Sequence, residues 1–323
     1  MRSRGYIAKR IAFAFATLFV AVTLNFVIFR AAPGDAVTAL RCQSCTSTVK
    51  AQIRRELGLD KPKLEQYAIY LGQLARGNLG ISFKDHQPVA PQLWQPIKNT
   101  VPMVLLGTVF SIVVGMTLGV VAAWRRGTWV DKASVWTGLG FYSMPTQWLG
   151  LMLVLYLASV LGLPTSDVTD PYLAYTNPSA SAELVDRVRH MILPSLTIGL
   201  VLFGEYTLIT RSSMLESLGE DYILTARAKG LSNWAIVRKH AFRNSLLPVT
   251  TLVFLSLGYV LAGAILVEAV FNYSGIGLLI YHAVFEKDYP MLQGAFLILT
   301  AAIITANLIA DLLYVKLDPR IVE

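Results

Sequence analysis

The sequence predicts an all-α polytopic membrane protein with six transmembrane helices and both termini in the cytoplasm. Of its 323 residues, 54% are apolar and only 15% are charged, whereas a soluble domain carries about 25% charged residues. Six apolar runs are long enough for a helix to cross a bilayer core, which takes about 20 residues. The basic residues behind the net charge of +8 lie in the gaps between these runs. They therefore indicate membrane topology rather than a nucleic-acid-binding surface.

The apolar runs set the predicted spans. The charges within them are Glu205 in the fourth run and Asp311 in the sixth. The third run is long and contains Pro145, so we expect a span that is kinked or tilted. The first run is longer than the apolar part of a signal peptide and lacks an A-x-A-like cleavage site, which favours an uncleaved signal anchor. The runs are 11–29, 101–124, 133–163, 191–210, 246–267 and 291–314.

Lysines and arginines in the short flanks orient the spans, because such residues concentrate on the cytoplasmic side. The flanks rich in lysine and arginine are 1–10, 125–132, 211–245 and the C-terminal tail. The segments between apolar runs that hold fewer of these residues are 164–190 and 268–290. The loop 31–99 is longer than about 60 residues and escapes the rule. Both termini are therefore predicted to lie inside.

This orientation divides the chain into three parts. Residues 1–30 are expected to form a cytoplasmic flank and the first transmembrane helix. Residues 31–99 are expected to form an extracytoplasmic loop with an amphipathic helix. Residues 100–323 are expected to form a core of five transmembrane helices with a cytoplasmic segment at 212–247.

The amphipathic helix in the long loop is predicted from apolar residues at helical spacing. It is expected to lie on the membrane surface or on the bundle, and 77–80 should end it because Gly77 can adopt a helix-stop conformation. Three prolines then predict an extended chain before the second span. The apolar positions are Leu64, Tyr67, Ala68, Leu71 and Leu74, and the prolines are Pro88, Pro91 and Pro96.

The two cysteines, Cys42 and Cys45, lie in the same loop with C-x-x-C spacing. Two cysteines are too few for a disulfide framework or, alone, for a structural zinc site. Outside the cytoplasm a short local disulfide is expected, and two free thiols are the alternative.

The predicted cytoplasmic segment at 212–247, the inner segment, is predicted to contain two short helices joined at a glycine. Acids at Glu220 and Asp221 and bases at its far end suit the dipole of a first helix. Gly230 can then adopt the positive φ of a helix stop. Ser232 is a candidate N-cap for a second helix over 233–244.

No catalytic signature occurs in the sequence. There is no phosphate-binding G-x-x-x-x-G-K-[ST] loop, no H-E-x-x-H and no G-x-S-x-G. The four histidines are isolated in sequence, which favours interfacial or loop roles over metal binding. A transporter or channel subunit is therefore the leading class, a membrane enzyme is second, and the inner segment suggests docking to a cytosolic partner or an ordinary basic loop.

Charged and polar residues in the spans are candidates for function because burying them in lipid is costly. Glu205 should face the bundle interior or a water-filled path, or else snorkel near the inner interface. Asn307 and Asp311 are four residues apart and share a helix face, which favours a structural polar contact over a substrate contact. Glu268 lies at the outer end of the fifth span, where capping and packing of the outer loop is preferred slightly over a pathway role.

Several motifs resemble those of the permease subunits of ABC-type peptide importers, the dipeptide/oligopeptide/nickel group. The most specific is the inner-loop sequence Asp221-Tyr-Ile-Leu-Thr-Ala-Arg-Ala-Lys-Gly230-Leu. The others, in chain order along nearly the whole sequence, are at 29–35, 57–67, 77–80, 190–194, 268–277, 288–290, 307–311 and 317–320.

The resemblance implies a type I ABC importer permease fold and a B-type subunit in the bacterial cytoplasmic membrane. Such a subunit forms half of the translocation pathway for dipeptides or oligopeptides and works by alternating access. It is not an enzyme and holds no cofactor. The implied partners are a homologous C-type permease, two cytosolic ABC ATPase subunits that bind ATP and Mg, and an extracytoplasmic substrate-binding protein. A nickel, glutathione or other solute permease is the alternative, and a secondary transporter is a weaker one.

The resemblance also assigns roles to individual residues. The residues expected to couple to the ATPase are Asp221, Tyr222, Thr225, Ala226, Arg227, Ala228, Lys229 and Gly230. The candidate pathway or gate residues rest instead on charged and polar positions in or next to the spans, and they are Glu205, Arg211, Glu268, Asn307 and Asp311.

Overall fold

A computed structural model describes residues 2–31, 60–176 and 178–317, and this described part is helical apart from turns, loops and one isolated β-bridge. The helices are α1 (Arg2–Ala31), α2 (Lys63–Ala75), α3 (Val89–Trp124), α4 (Trp129–Ser143), α5 (Thr146–Leu161), α6 (Ala180–Leu218), α7 (Asp221–Ala228), α8 (Phe242–Val270), α9 (Ile276–Glu286) and α10 (Tyr289–Leu317).

The chain folds into two compact units. One comprises Met1–Asn99 with Gly275–Glu323, and in it α1 packs along α10. The other comprises Thr100–Ser274, and in it α6 packs against both α4 and α8. This second unit contains the inner segment and most of the charged candidates.

Glycines on α3 allow the backbone of α6 to approach closely. Gly107, Gly115 and Gly119 share a face with the fully buried Ser111, at intervals of four residues. A Cβ atom on any of the three glycines would lie within 2.7 Å of a main-chain oxygen of α6. Small residues at this spacing let membrane helices gain van der Waals contact, which drives packing where lipid removes the hydrophobic effect.

A tighter contact joins α4 and α6. Gly204 faces Gly138, and a Cβ atom on Gly204 would overlap the main-chain oxygen of Gly138. Gly140, two residues further along α4, has no atom within 4 Å of its own Cβ position. Of these two glycines of α4, Gly138 is therefore closely packed against α6, whereas the space beside Gly140 is open.

The third apolar run is broken rather than merely kinked or tilted. α4 ends at Ser143 and α5 begins at Thr146, and their axes differ by 105°. Pro145 lies in the break, where its missing N–H costs no helical hydrogen bond. In the part of the chain described, α1, α3, α6 and α10 are long and apolar enough to cross a membrane, and the bent pair can supply a fifth span.

The stretch before the second span is helical, so the predicted extended chain is wrong. α3 begins at Val89. Pro91 lies in its first turn, where a backbone N–H needs no helical partner. Val89 and Leu93 are completely buried, and this burial helps to offset the hydrogen bond lost at the internal Pro96.

The helix in the long loop is present as α2, but it turns a different face inward than its apolar spacing predicts. Leu64 is 84% exposed and Gln66 is buried. Phe26 of α1 contacts the rings of Tyr67 and Tyr70, at centroid distances of 5.1 and 5.5 Å. The Tyr67 hydroxyl also lies 2.6 Å from the Thr23 hydroxyl of α1, so tyrosine side chains of α2 contact α1.

The expected helix stop after α2 is confirmed. Gly77 has φ +73°, and the N–H of Asn78 donates to the carbonyl of Gln73 over 2.9 Å. This bond satisfies a carbonyl that the helix end leaves free.

Candidate functional site

The inner segment forms the short helix α7, which ends in a glycine stop as predicted. Gly230 has φ +73°. Its N–H donates to the carbonyl of Arg227 over 2.9 Å, and the N–H of Leu231 donates to Ala226 over 3.3 Å. These two bonds are those of a Schellman motif, which needs a residue with positive φ and so favours glycine.

The faces of α7 divide the coupling candidates into two groups. Ala226 and Ile223 are buried against Met214 and other apolar side chains of this chain, so Ala226 is small because its own fold requires it. The exposed face carries Leu224, which is 61% exposed. Asp221, Thr225, Arg227, Ala228, Lys229 and Gly230 are also exposed, and Tyr222 is half-buried.

The second predicted helix begins at the expected cap but does not end at residue 244. The Ser232 hydroxyl accepts a hydrogen bond from the Ala235 N–H at 3.3 Å. The helical turn Asn233–Ile236 passes into a π-helical turn, Val237–Ala241, and then into α8 without a break. Pro248 lies within α8, so the helix continues through this proline into the fifth apolar run.

Arg211 forms an ion pair that its sequence neighbours do not indicate. Its Nε and Nη2 donate to the two carboxylate oxygens of Asp131, at 2.6 and 2.9 Å. Asp131 is only 4% exposed, and it also accepts a hydrogen bond from the Gly127 N–H. The pair joins the start of α4 to the C-terminal part of α6. The sequence feature that could have indicated this ion pair is Asp131, the one acid in the basic flank 125–132.

Glu205 lies within α6 and is half-buried. It belongs to a stripe of partly accessible residues that includes Val201, Leu208 and Ser212. The residues between them, such as Tyr206 and Thr207, are fully buried. Glu205 therefore lies on the more accessible side of this helix, and it is the charged residue of the apolar run 191–210.

Glu268 is completely buried near the end of α8. The Thr100 hydroxyl donates to its carboxylate over 2.5 Å, and the Tyr273 N–H donates to its main-chain oxygen over 2.9 Å. Burial raises the pKa of Tyr273 to about 12, with a further contribution from the negative charge of Glu268. The carboxylate therefore lies within the packing of the loop after α8, rather than on an open surface.

Asp311 and Asn307 differ in environment although they share one helix. The Asp311 carboxylate lies 3.2 Å from the guanidinium of Arg10, so it links α10 to α1. Asn307 is exposed. Asp311 and Arg211 thus each have an oppositely charged partner, Arg10 and Asp131 respectively.

A buried aspartate that sequence analysis did not single out organises the loop before α3. Asp288 precedes α10 and is 2% exposed. Its carboxylate accepts hydrogen bonds from the Ser82 hydroxyl, from the Phe83 N–H at 3.0 Å and from the Met291 N–H at 3.2 Å. It therefore caps α10 and holds the 82–84 turn. The sequence feature that could have drawn attention to Asp288 is its place in the 288–290 motif.

The cysteine hypothesis lies outside the described residues, because Cys42 and Cys45 both fall in 32–59. In the described ranges, no group of three or more His, Cys, Asp or Glu side chains is placed to hold a metal ion.

Two family models match the chain. The model described as "Binding-protein-dependent transport system inner membrane component" matches residues 115–323. A second, described as "Binding-prot-dependent transport system membrane comp, N-term", matches residues 4–105.

Individual relatives match over almost the whole length. The dipeptide transport system permease protein DppB of Escherichia coli K12 is 38% identical over 332 residues, covering 98% of each chain. The glutathione transport system permease protein GsiC of Escherichia coli O6:H1 is 33% identical, again over 98% of each chain. Among solved structures, an inward-facing MetNI methionine ABC transporter chain matches with a TM-score of 0.54 and 17% identity, covering 71% of this chain and 98% of that one.

Proposed function

Because the chain belongs to the family of binding-protein-dependent transport system inner membrane components, we propose that it is the B-type permease subunit of an importer that brings peptides across the inner membrane. The observation that supports a peptide as the substrate is the match to a dipeptide permease along 98% of both chains. The family is a non-catalytic membrane component, and the fold is that of a type I ABC importer permease. The glutathione relative supports a second candidate, a permease for glutathione or another small solute.

The proposed assembly contains a homologous C-type permease, two cytosolic ATPase subunits that bind ATP and Mg, and an extracytoplasmic binding protein. Closure of the ATPase dimer moves α7, and the continuous helix from Asn233 to Val270 carries this motion into the membrane. The path then opens outward to take the peptide, and hydrolysis returns it inward. Each state is favoured by the ligand that binds it better, as a shift between conformations requires.

Uptake in a strain lacking its own peptide permeases tests this function. We expect cells expressing the full operon to take up a labelled dipeptide, and to lose uptake when this chain or the ATPase is deleted. Uptake of glutathione but not of the dipeptide would select the second candidate. Uptake that persists without the ATPase would contradict an ATP-driven importer.

We propose six spans, with the bent pair α4 and α5 as the third and α8 as the fifth. Both termini and the 212–247 segment lie inside, and 31–99 lies outside. The support is the distribution of basic flanks, with Arg125 and Arg126 following α3 and two acids, Asp167 and Asp170, following α5.

Cysteine labelling tests this topology. In a background with Cys42 and Cys45 replaced by serine, a cysteine at Thr176 should react with an impermeant thiol reagent in intact cells. A cysteine at Thr128 should react only after the cells are opened. Both positions are exposed, so a difference reports the side of the membrane. The reverse pattern would refute the six-span topology.

We propose that the exposed face of α7 docks on an ATPase subunit, and that Leu224 is its apolar contact. Leu224→Asp should weaken ATPase binding by about tenfold or more, because a charge would replace a buried apolar contact. The measurement is the amount of ATPase that co-purifies with the permease. Leu184→Asp is the control, since Leu184 is similarly exposed, at 63%, but lies at the start of α6. Equal loss of ATPase in both variants would contradict a specific contact.

Gly230 provides a second test of coupling. Its Cβ position is open, with no atom within 4 Å, so only the positive φ opposes a larger residue. Gly230→Val should reduce uptake strongly, whereas Gly230→Asn should retain most of it, because asparagine tolerates this conformation and β-branched residues do not. Uptake that is equal in the two variants would show that the turn geometry is unimportant.

We propose different roles for the remaining candidates. Glu205 remains a pathway candidate, because it lies on the more accessible side of α6. Arg211, Glu268 and Asp311 fix helices and loops in place through their partners, and act on the pathway only by positioning it. Asn307 remains a pathway candidate on an exposed position of α10.

A further inference from the structure

An apolar groove lies on the second unit, between the inner end of α3 and the start of α8. It has a volume of about 300 Å³, at the lower end of the ~300–1,000 Å³ typical of small-molecule sites. Its walls are side chains of Val120, Val121, Val237 and Phe242, and its lining contains no carboxylate.

Two tryptophans stand at this groove. The rings of Trp124 and Trp234 are stacked with centroids 5.3 Å apart and an interplanar angle of 28°. Both remain partly exposed, at 45% and 54%. Tryptophan concentrates at the membrane–water boundary, where its ring is apolar and its N–H can meet water or headgroups. The tryptophan pair therefore places the groove mouth at the depth of lipid headgroups.

The charge beside the groove is positive. Arg238 is the charged residue of the lining and is exposed. Among the described residues, no carboxylate forms an ion pair with it. An apolar slot with a cation in its lining complements an amphiphile that has an acyl chain and a negative headgroup.

We propose that this groove binds an anionic phospholipid of the inner leaflet. One acyl chain lies along Val120, Val121 and Phe242, and the headgroup phosphate meets Arg238. A guanidinium suits this role because it offers several donors to phosphate oxygens. The site adjoins both α3 and the π-helical turn that leads from α7 into α8, so a bound lipid would brace the base of the coupling segment.

Photo-crosslinking tests the proposal. The complete transporter is reconstituted in nanodiscs containing phosphatidylglycerol with a photoactivatable acyl chain, and labelled peptides are identified by mass spectrometry. We expect labelling within 116–124 and 234–242. Unlabelled phosphatidylglycerol should compete, and phosphatidylcholine should not.

Three variants sharpen this test. Arg238→Gln should reduce labelling about fivefold, the effect of one basic residue near an anionic membrane surface. Lys239→Gln is the control, because Lys239 is exposed but does not line the groove, and it should change labelling much less. Thr117 is an exposed residue of α3 that lines the groove. Thr117→Trp should therefore fill the groove with its larger side chain and reduce labelling.

Two results would overturn the proposal. Equal competition by phosphatidylcholine, or equal effects of the Arg238 and Lys239 variants, would mean that the groove holds ordinary surrounding lipid. A photoreactive amino acid at Trp234 that crosslinks to another subunit instead of to lipid would mean that the groove is a protein interface.

Discussion

Replacing Gly204 with alanine should prevent normal packing of α4 on α6. The added methyl group would overlap the main-chain oxygen of Gly138, and main chain cannot move aside as a flexible side chain can. Overpacking of this kind costs about 1–3 kcal/mol, and here it separates two helices along their length. We therefore expect low accumulation in the membrane and a clear fall in the thermal unfolding midpoint of the purified complex.

Gly140→Ala is the matched control for this prediction. It makes the same chemical change on α4, at a position with no atom within 4 Å of the new methyl group. Alanine favours a helix over glycine by up to about 1 kcal/mol, so Gly140→Ala should be neutral or stabilising. If Gly204→Ala and Gly140→Ala unfold at the same temperature, the close helix contact is absent in the membrane.

Removing Asp131 should be the second most damaging change. Asp131→Ala leaves the Arg211 guanidinium without its two carboxylate hydrogen bonds, and breaking a buried pair costs about 3–5 kcal/mol. The Arg211 side chain is 27% exposed, so we expect the lower end of this range because water can reach part of the guanidinium. Arg211→Ala should cost at least as much, because the stranded carboxylate is the more buried partner, at 6% side-chain exposure.

A double-mutant cycle separates the pair from its surroundings. If the two residues stabilise the chain through each other, the double alanine variant should lose much less stability than the sum of the single losses. Lys132→Ala is the control, since Lys132 adjoins Asp131 but is exposed, and its effect should stay within about 0.5 kcal/mol. Additive losses from Asp131→Ala and Arg211→Ala would contradict a mutual contact.

Features with a local cause were predictable from the sequence. The positive φ of Gly230, the Ser232 cap and the glycine stop at Gly77 each depend on a few neighbouring residues, and all three are present. The helix boundaries were less predictable. Hydropathy marks only the apolar part of a helix, so α6 extends well beyond the run 191–210 to Ala180 and Leu218.

Features with a distant cause were not predictable from periodicity. Asp131 and Arg211 are 80 residues apart, and helical spacing relates only residues within a few turns. Ala226 was assigned to coupling together with the rest of its motif, and periodicity alone did not indicate that its side chain packs against apolar residues of this chain. The four-residue spacing from Gly107 to Gly119 was visible in the sequence, and could have predicted the contact of α3 with α6.

The π-helical turn at Val237–Ala241 sets the direction of α7 around the axis of α8. A π-helical turn holds one residue more than an α-helical turn, and each residue of an α-helix rotates the next by about 100°. Deleting one residue from this turn would therefore restore a regular helix and swing everything before it, α7 included, around the axis of α8 by roughly that angle. The angular setting between α7 and α8 is thus encoded by a single additional residue, and relatives that differ there by one residue would present α7 in another direction.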